Sequence, residues 1–256
     1  MNIVVCCKYV PNVEGISTDA NGSVSLANAE WKLNDSDMNA IQAGVDLAAQ
    51  TGGKLIALNI GDEHVENSKM RKDMLSRGPE EHVYVSDPAL ADLDAAKTAK
   101  VLAAAVKKLG ADVVICGEGS EDYYNQQTGL QLGARLGWTT VGSVDKIDIE
   151  NDALVVERLL EKTVQVLEAD LPAVLTVTRS INSPKIPNLR AVLAAGKKPV
   201  TALSLEELGV NIDTDAETVS LVAPESADRK NQIISGGDLT ETVREFVRCL
   251  KSEGVL

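Results

Sequence analysis

The chain has 256 residues, room for one large α/β domain or for a domain with a substantial extension. Hydrophobic residues make up 44% and aromatics only 3%, so the core must be built mainly from Val, Leu, Ile and Ala. A formal charge of −13 argues against nucleic acid as the main partner, because polyanion affinity rests on Lys and Arg replacing counterions; a single nucleotide stays open, since local dipoles can hold it.

No run approaches the roughly 18 apolar residues of a membrane span, and the apolar start Ile3–Cys7 is too short for a signal-peptide core and has no basic flank. A soluble, cytoplasmic protein without membrane insertion is expected. The cysteines Cys6, Cys7, Cys116 and Cys249 form no C-x-x-C pair, and His64 and His82 are too few for a histidine-rich site, so no metal is expected. Both histidines read as structural or surface residues. Cys6 and Cys116 fall in apolar strands, where cysteine behaves as a small apolar side chain.

Asn2–Cys7 reads as a first strand, stopped by Pro11 after Lys8-Tyr9-Val10. Asp19-Ala-Asn-Gly22 within Thr18–Leu26 marks a hairpin outside the main sheet. Asn34-Asp35-Ser36 caps a helix through Ala49, with Met38, Ile41, Val45 and Ala48 or Ala49 facing inward and Gly52-Gly53 ending it. Lys54–Ile60 is a second strand. Val65–Ser76 is a helix, with Arg71, Lys72 and Arg77 on a solvated face. His82–Val85 is a third strand and Asp92–Leu109 a long Ala-rich amphipathic helix. Asp112–Cys116 is a fourth strand, rich in β-branched residues and buried on both faces.

Strands separated by single helices imply right-handed crossovers and a parallel sheet covered on both sides. From Val141 the pattern changes to antiparallel strands at Val144–Ile149, Ala153–Leu160 and Lys162–Glu168, the first two joined by the turn Glu150-Asn151-Asp152. Ala173–Thr178 is a further buried strand. Arg179–Asn188 is a loop with Pro184 and Pro187, leading to a short helix through Ala195 and the stop Gly196-Lys197-Lys198-Pro199. Residues 200–237 show weak periodicity, many acids and no obvious core, so they are expected to lie extended on a partner. Asp238–Leu250 closes the chain as an amphipathic helix carrying Val243, Phe246, Val247 and Leu250. The expected fold is a three-layer α/β/α arrangement with a mostly parallel doubly wound sheet, of the adenine-nucleotide-binding, universal-stress-like type, with antiparallel additions. Residues 1–199 form that domain and 200–256 an extended C-terminal arm with a terminal helix.

The candidate binding site is residues 112–138. Gly117 and Gly119 turn the chain tightly after the fourth strand. A helix over Gln126–Leu136 then carries Leu130, Leu132, Ala134 and Leu136, with Gly129 and Gly133 allowing close packing on the sheet. Strand, glycine turn and helix is the geometry in which free backbone N–H groups and the helix dipole hold an anion such as phosphate. Neither G-x-G-x-x-G nor G-x-x-x-x-G-K-[ST] is present, so an ordinary strand–helix connection competes with this reading. Asn125, Gln126, Gln127 and Thr128 can cap the helix or hydrogen-bond a sugar, a base edge or phosphate oxygens. In a doubly wound sheet, Lys8 and Tyr9, Asn34, Gly61 and Glu118–Thr128 can converge at the carboxyl ends of the strands, where the strand order reverses.

The order of these pieces resembles the β subunit of electron transfer flavoprotein. The resemblance rests on Val4-Val5-Cys6-Cys7-Lys8, Lys32-Leu-Asn34, the block Gly117–Trp138 with Asp122 and Gln127-Thr128-Gly129, Val155-Val-Glu157-Arg158, Leu171-Pro172-Ala173-Val174, and Ile181-Asn182-Ser183-Pro184 through Lys197-Lys198-Pro199. These stretches extend over about four fifths of the chain, in order. Arg71-Lys72-Asp73 with Ser76-Arg77-Gly78-Pro79 looks most like the branch associated with carnitine metabolism and nitrogen fixation. The resemblance implies a heterodimer with an α subunit that holds most of a redox FAD. Electrons would come from acyl-CoA-type or related dehydrogenases and pass to a quinone-linked or ferredoxin-linked oxidoreductase. It also implies a pocket for AMP, or for a second FAD in electron-bifurcating members, lined by Cys6, Asn34, Asp122, Gln126, Gln127 and Thr128. The loop with Ile181, Asn182 and Pro184 resembles the family's recognition loop, in which an exposed apolar side chain docks into the dehydrogenase.

Two departures stand out. Bifurcating relatives commonly carry Asp-Gly-Asp-Thr where this chain has Asp122-Tyr123-Tyr124-Asn125, which leaves AMP against FAD undecided, and the loop after Pro184 is shorter than in the mitochondrial type. No general base, nucleophile or metal triad is visible, as fits a carrier, not an enzyme, whose chemistry belongs to a flavin. A stand-alone AMP- or ATP-binding sensor of the universal-stress type would share the sheet but leave the Ile181 loop and the arm without a role. A nicotinamide dehydrogenase lacks its fingerprint here.

Overall fold

A computed structural model describes residues 1–91, 93–151, 153–212, 218–224 and 229–256. Its elements are β1 (Asn2–Cys7), β2 (Tyr9–Pro11), β3 (Ser17–Thr18), β4 (Val24–Ser25), β5 (Trp31–Leu33), α1 (Asp35–Thr51), β6 (Lys54–Gly61), α2 (Ser68–Ser76), β7 (Glu81–Ser86) and α3 (Ala95–Leu109). Then follow β8 (Val113–Gly117), α4 (Thr128–Leu136), β9 (Thr139–Glu150), β10 (Ala153–Leu159), β11 (Val164–Ala169), β12 (Ala173–Val177), α5 (Leu189–Ala195), β13 (Val200–Leu203), α6 (Leu205–Leu208) and α7 (Leu239–Ser252).

Nine strands make one sheet in the order β11-β10-β9-β12-β8-β1-β6-β7-β13. All neighbours from β9 to β13 run parallel, and β10 and β11 add an antiparallel margin. The fold is the expected three-layer α/β/α class. β1, β8 and β12 are buried along nearly their whole length because both faces are covered, which is why they read as continuous Val, Ile and Leu runs rather than alternating ones. Ile3, Val5, Ile41 and Leu47 belong to the core beneath α1 and α2. Val4, Cys6, Leu102 and Leu132 belong to the core on the other face, beneath α3 and α4.

The chain winds outward from β1 to β6 and β7, then returns through α3 to β8 on the other side of β1. The order therefore reverses between β1 and β8, and a crevice opens at their carboxyl ends. α4 leaves that crevice packed tightly on the sheet. A Cβ at Gly129 would stand 2.4 Å from Thr176 Cγ2, and one at Gly133 only 1.9 Å from Thr140 Oγ1, so neither position has room for a side chain.

Several boundaries differ from the sequence reading. α1 turns Ala40, Ile41, Ala43, Gly44 and Leu47 fully inward, whereas Ala49 is exposed. α2 begins at Ser68 rather than Val65, because the Asn67 side chain accepts from Lys69 N–H and Met70 N–H, and residues 63–66 form a separate 3-10 turn. α3 begins at Ala95, capped by Asp94; the expected start at Asp92 and the turn residue Asp152 lie outside the described residues. α4 begins at Thr128 rather than Gln126, because Tyr124 and Gln126 take left-handed backbone angles, φ 47° and 55°. Leu132 is its one fully buried leucine, and Leu130 is 44% exposed.

The largest difference follows residue 199. Val200–Leu203, expected in the extended arm, adds β13 to the sheet edge beside β7, and Ser204 and Glu207 form a capping box that starts α6. Leu205, Leu208, Val210 and Ile212 pack on the α3 side of the core. Of the arm beyond, residues 213–217 and 225–228 lie outside the described residues. The stretch from Leu221 to Ala223 runs along the β3–β4 hairpin, with Val222 bridging Ser23. α7 carries Leu239, Val243 and Phe246 exposed on its surface.

Candidate functional site

A cavity of about 760 Å³ lies at the carboxyl ends of β1, β6 and β8, within the size range of small-molecule sites, roughly 300–1,000 Å³. Cys6 and Lys8 from the end of β1, Asn34 from the start of α1 and Gly61 from the end of β6 line it. Gly117 and Asp122 line it as well, with Asn125, Gln126, Gln127 and Thr128 at the start of α4. All ten positions picked from four separate stretches of sequence meet in one space.

The loop between β8 and α4 is held over this space from three sides. Lys8 Nζ lies 2.5 Å from Asp122 Oδ2 and 5.0 Å from the centre of the Tyr123 ring. Burial raises the Asp122 carboxyl, but Lys8 and the Ser120 hydroxyl outweigh it and leave the group below the usual carboxylate range. Asn34 does not cap α1 with its side chain. Its Nδ2 donates to Gly119 O at 3.2 Å, and its Oδ1 accepts from Glu121 N–H at 3.1 Å, so both ends of the amide clamp the loop. Lys32, Asp35, Arg179 and Glu121 close a ring of alternating charge, with contacts of 3.1, 2.9, 3.2 and 2.7 Å around it. Each pair is part-exposed and individually weak; together they fix the loop to β5, α1 and the chain after β12.

The floor is Cys6, Cys116, Gly117 and Asp37. Cys6 and Cys116 stand side by side in register on β1 and β8, and the hydrogen bond between their thiols, with burial, pushes Cys6 well above the ordinary thiol value. Gly117 passes so close to α1 that a Cβ would sit 2.5 Å from Asp37 Oδ1. Asp37 is buried and accepts from Lys8 N–H at 2.7 Å; burial nevertheless pushes its carboxyl up to about 7, against the opposing N–H groups of Lys8 and Gly117. The lining also holds Trp31 stacked on His64, ring centres 3.9 Å apart, and His64 Nδ1 lies 2.7 Å from Asp62 Oδ1. Val13, Ile16, Val24, Leu26 and Leu221 form an apolar rim.

Asp37, Trp31 and His64 escaped the sequence reading. An acid in the first turn of a helix reads as a dipole partner, and two rings 33 positions apart carry no periodic signal. The expected docking loop also differs. Ile181 is not exposed; it packs against the α1-side core, and Asn182 exchanges hydrogen bonds with Asn39, whose Nδ2 reaches Asn182 O at 2.9 Å. The loop's free apolar side chain is Ile186, 92% exposed, between the half-buried Pro184 and Pro187 and followed by exposed Leu189 and Leu193.

The donor set suits an uncharged-to-anionic ligand. Gln127 offers α4 no side-chain cap, since its Oε1 accepts from Gln131 Nε2. The first N–H groups of α4 therefore face the cavity end of the helix, in reach of an anion. Among the described residues the side chains of Asn125 and Gln126 have no hydrogen-bond partner and are free to bond a ligand. No helix among the described residues is long and apolar enough to cross a membrane. The model of the electron transfer flavoprotein domain matches residues 23–208, which takes in β4 through α6 and all of the loop and helix that build the site. The chain therefore belongs to the electron transfer flavoprotein family, whose members are in general electron carriers rather than enzymes.

Proposed function

We propose that this chain is the β subunit of a heterodimeric electron transfer flavoprotein. It serves dehydrogenase-to-acceptor electron transfer in complex with an α subunit, and its own cavity takes AMP or a second FAD. The observation that carries this reading is the convergence of the strand ends, the uncapped α4 and the unengaged amides on one cavity at the switch point of the sheet. The α4 N–H groups with Thr128 and Gln127 would hold phosphate, and Asn125 and Gln126 the sugar or base edges. A bound FAD would supply the electron-accepting ring; AMP would supply none, and the pocket would then be structural. The exposed apolar residues of α7, Leu239, Val243, Phe246 and Val247, suit the α subunit, and the Ile186 loop suits the dehydrogenase.

Coexpression with the neighbouring α subunit, followed by counting flavin and AMP released on denaturation, tests this. One FAD and one AMP per heterodimer makes the cavity structural, and two FAD make it a redox site. Failure to form a flavin-bearing complex sinks the reading and favours a stand-alone nucleotide sensor.

A further inference from the structure

The arm after residue 212 lies beyond the stretch matched by the family model, yet it reaches the cavity. Val222 bridges Ser23 in antiparallel fashion, Val24 N–H donates to Leu221 O at 3.4 Å, and Ala223 N–H donates to Gly22 O at 2.8 Å. The arm thus acts as a short third strand on the β3–β4 hairpin. It brings Leu221 into the same cavity lining as Val24 and Leu26 and as Asn125–Thr128 of the polar loop. Leu221 is half-exposed while lining the cavity, which places it at the mouth rather than the floor.

We infer that residues 221–223 form a strap across the mouth of the nucleotide cavity, with Leu221 as the positioning residue that slows escape of the bound nucleotide. This rests on the proposed nucleotide-binding role of the cavity. Three features support a strap over a fixed wall. Its hold on the body is a few hydrogen bonds at the tip of a two-residue-stranded hairpin, outside the packed core. Its contribution to the cavity is apolar, so it excludes water from one side of a ligand whose other side meets amides and helix N–H groups. The same arm leads on to α7, whose exposed apolar residues suit the partner subunit, so partner docking and nucleotide retention act on one segment.

The test uses the coexpressed heterodimer and reads the half-time of loss of its own bound AMP or FAD during timed gel filtration. Leu221→Ala removes the apolar contact, and Ala223→Pro removes the N–H that pins the strap to Gly22. Val219→Ala, on the same arm at a position 94% exposed, is the control. Both strap variants should release nucleotide about tenfold faster than the wild type, the change expected for losing part of a leucine's apolar contact with the ligand, with the control unchanged and the melting temperature of the nucleotide-free complexes unmoved. Equal release from all four complexes overturns the strap and leaves the nucleotide reading standing. A wild-type complex with no bound nucleotide overturns both.

Discussion

Lys8 and Asp122, 114 positions apart, meet at 2.5 Å and tie the end of the central strand to the loop that roofs the cavity. The pair is partly exposed, so its share of global stability is small, about 0.5 kcal/mol. Its effect on the site is larger, because releasing Asp122 frees the loop. Lys8→Met should leave the urea midpoint nearly unchanged and weaken nucleotide binding by about tenfold, with a reduced salt dependence, as read by calorimetry at two ionic strengths. Unaltered affinity would show that the charge ring and Asn34 hold the loop without it.

Two buried groups should pull stability in opposite directions over the same pH window. His82 is fully buried; its Nε2 faces Asn59 Oδ1 at 3.0 Å while its Nδ1 has no partner among the described residues. Burial and the charge of Arg71 push it down to about 4 from 6.5. As pH falls through that window the unfolded chain takes up a proton that folded His82 refuses, so stability is lost, on the order of 3 kcal/mol.

Asp37 has the opposite sign. Its folded carboxyl is pushed up to about 7 from 3.8, so the stability it contributes is full below 3.8 and is lost as pH rises through about 7. Both windows fall between about pH 4 and 7 and oppose each other, so Asp37→Asn should leave a stability that rises with pH across this range and His82→Gln one that falls, in urea titrations between about pH 4 and 8. A variant that keeps the wild-type slope across this window refutes the assignment of that group.

α4 should tolerate no side chain at its glycines. Gly133→Ala pushes a methyl into Thr140 and should cost about 1–3 kcal/mol while weakening nucleotide binding, because Thr128 moves with the helix. Thr140→Ala in the same chain should recover part of that loss, since Thr140 Cβ stays 2.9 Å from the added methyl, a coupling that a double-mutant cycle measures directly.

Lys198 closes the end of α2 from 119 to 123 positions away. Its Nζ donates to Leu75 O, Gly78 O and Pro79 O at 2.8, 3.3 and 2.6 Å. Lys198→Met leaves those carbonyls without their cation and should lower stability by about 2 kcal/mol in chemical denaturation, with the site unaffected.

Ile186 should matter only to the encounter with the donor. Ile186→Asp is expected to leave flavin content and melting temperature unchanged and to lower electron uptake from the partner dehydrogenase by at least about tenfold. The same loss from Ile181→Val, which trims a residue packed on the core, would argue for Ile181 instead.

The sheet was legible because β1, β6, β7 and β8 are apolar runs with one α-helix between each successive pair. Such runs betray their strand ends, and the switch point follows from topology. What side chains do there was less legible. Asn34 has the right residue type for a cap or a ligand contact, and only the folded chain shows it spanning Gly119 and Glu121. Ser204-x-x-Glu207 was a readable helix start, but acids and weak periodicity on its far side masked it. In the Ile181 loop no sequence pattern sets Ile181 apart from Ile186, and contact with the α1-side core is what separates them.

β12 lies between β8 and β9, although β9, β10 and β11 precede it in the chain. As the polypeptide leaves the ribosome, the three-stranded meander is therefore complete before the strand that joins it to the rest of the sheet exists. It can form by local pairing alone, but it stays a separate flap with β8 as an open edge until residue 177 has been made. The last strand, β13, then closes the opposite edge beside β7. Both margins of the sheet wait on late-synthesised residues, and the interval before they arrive is when this chain most depends on protection from other unpaired strands.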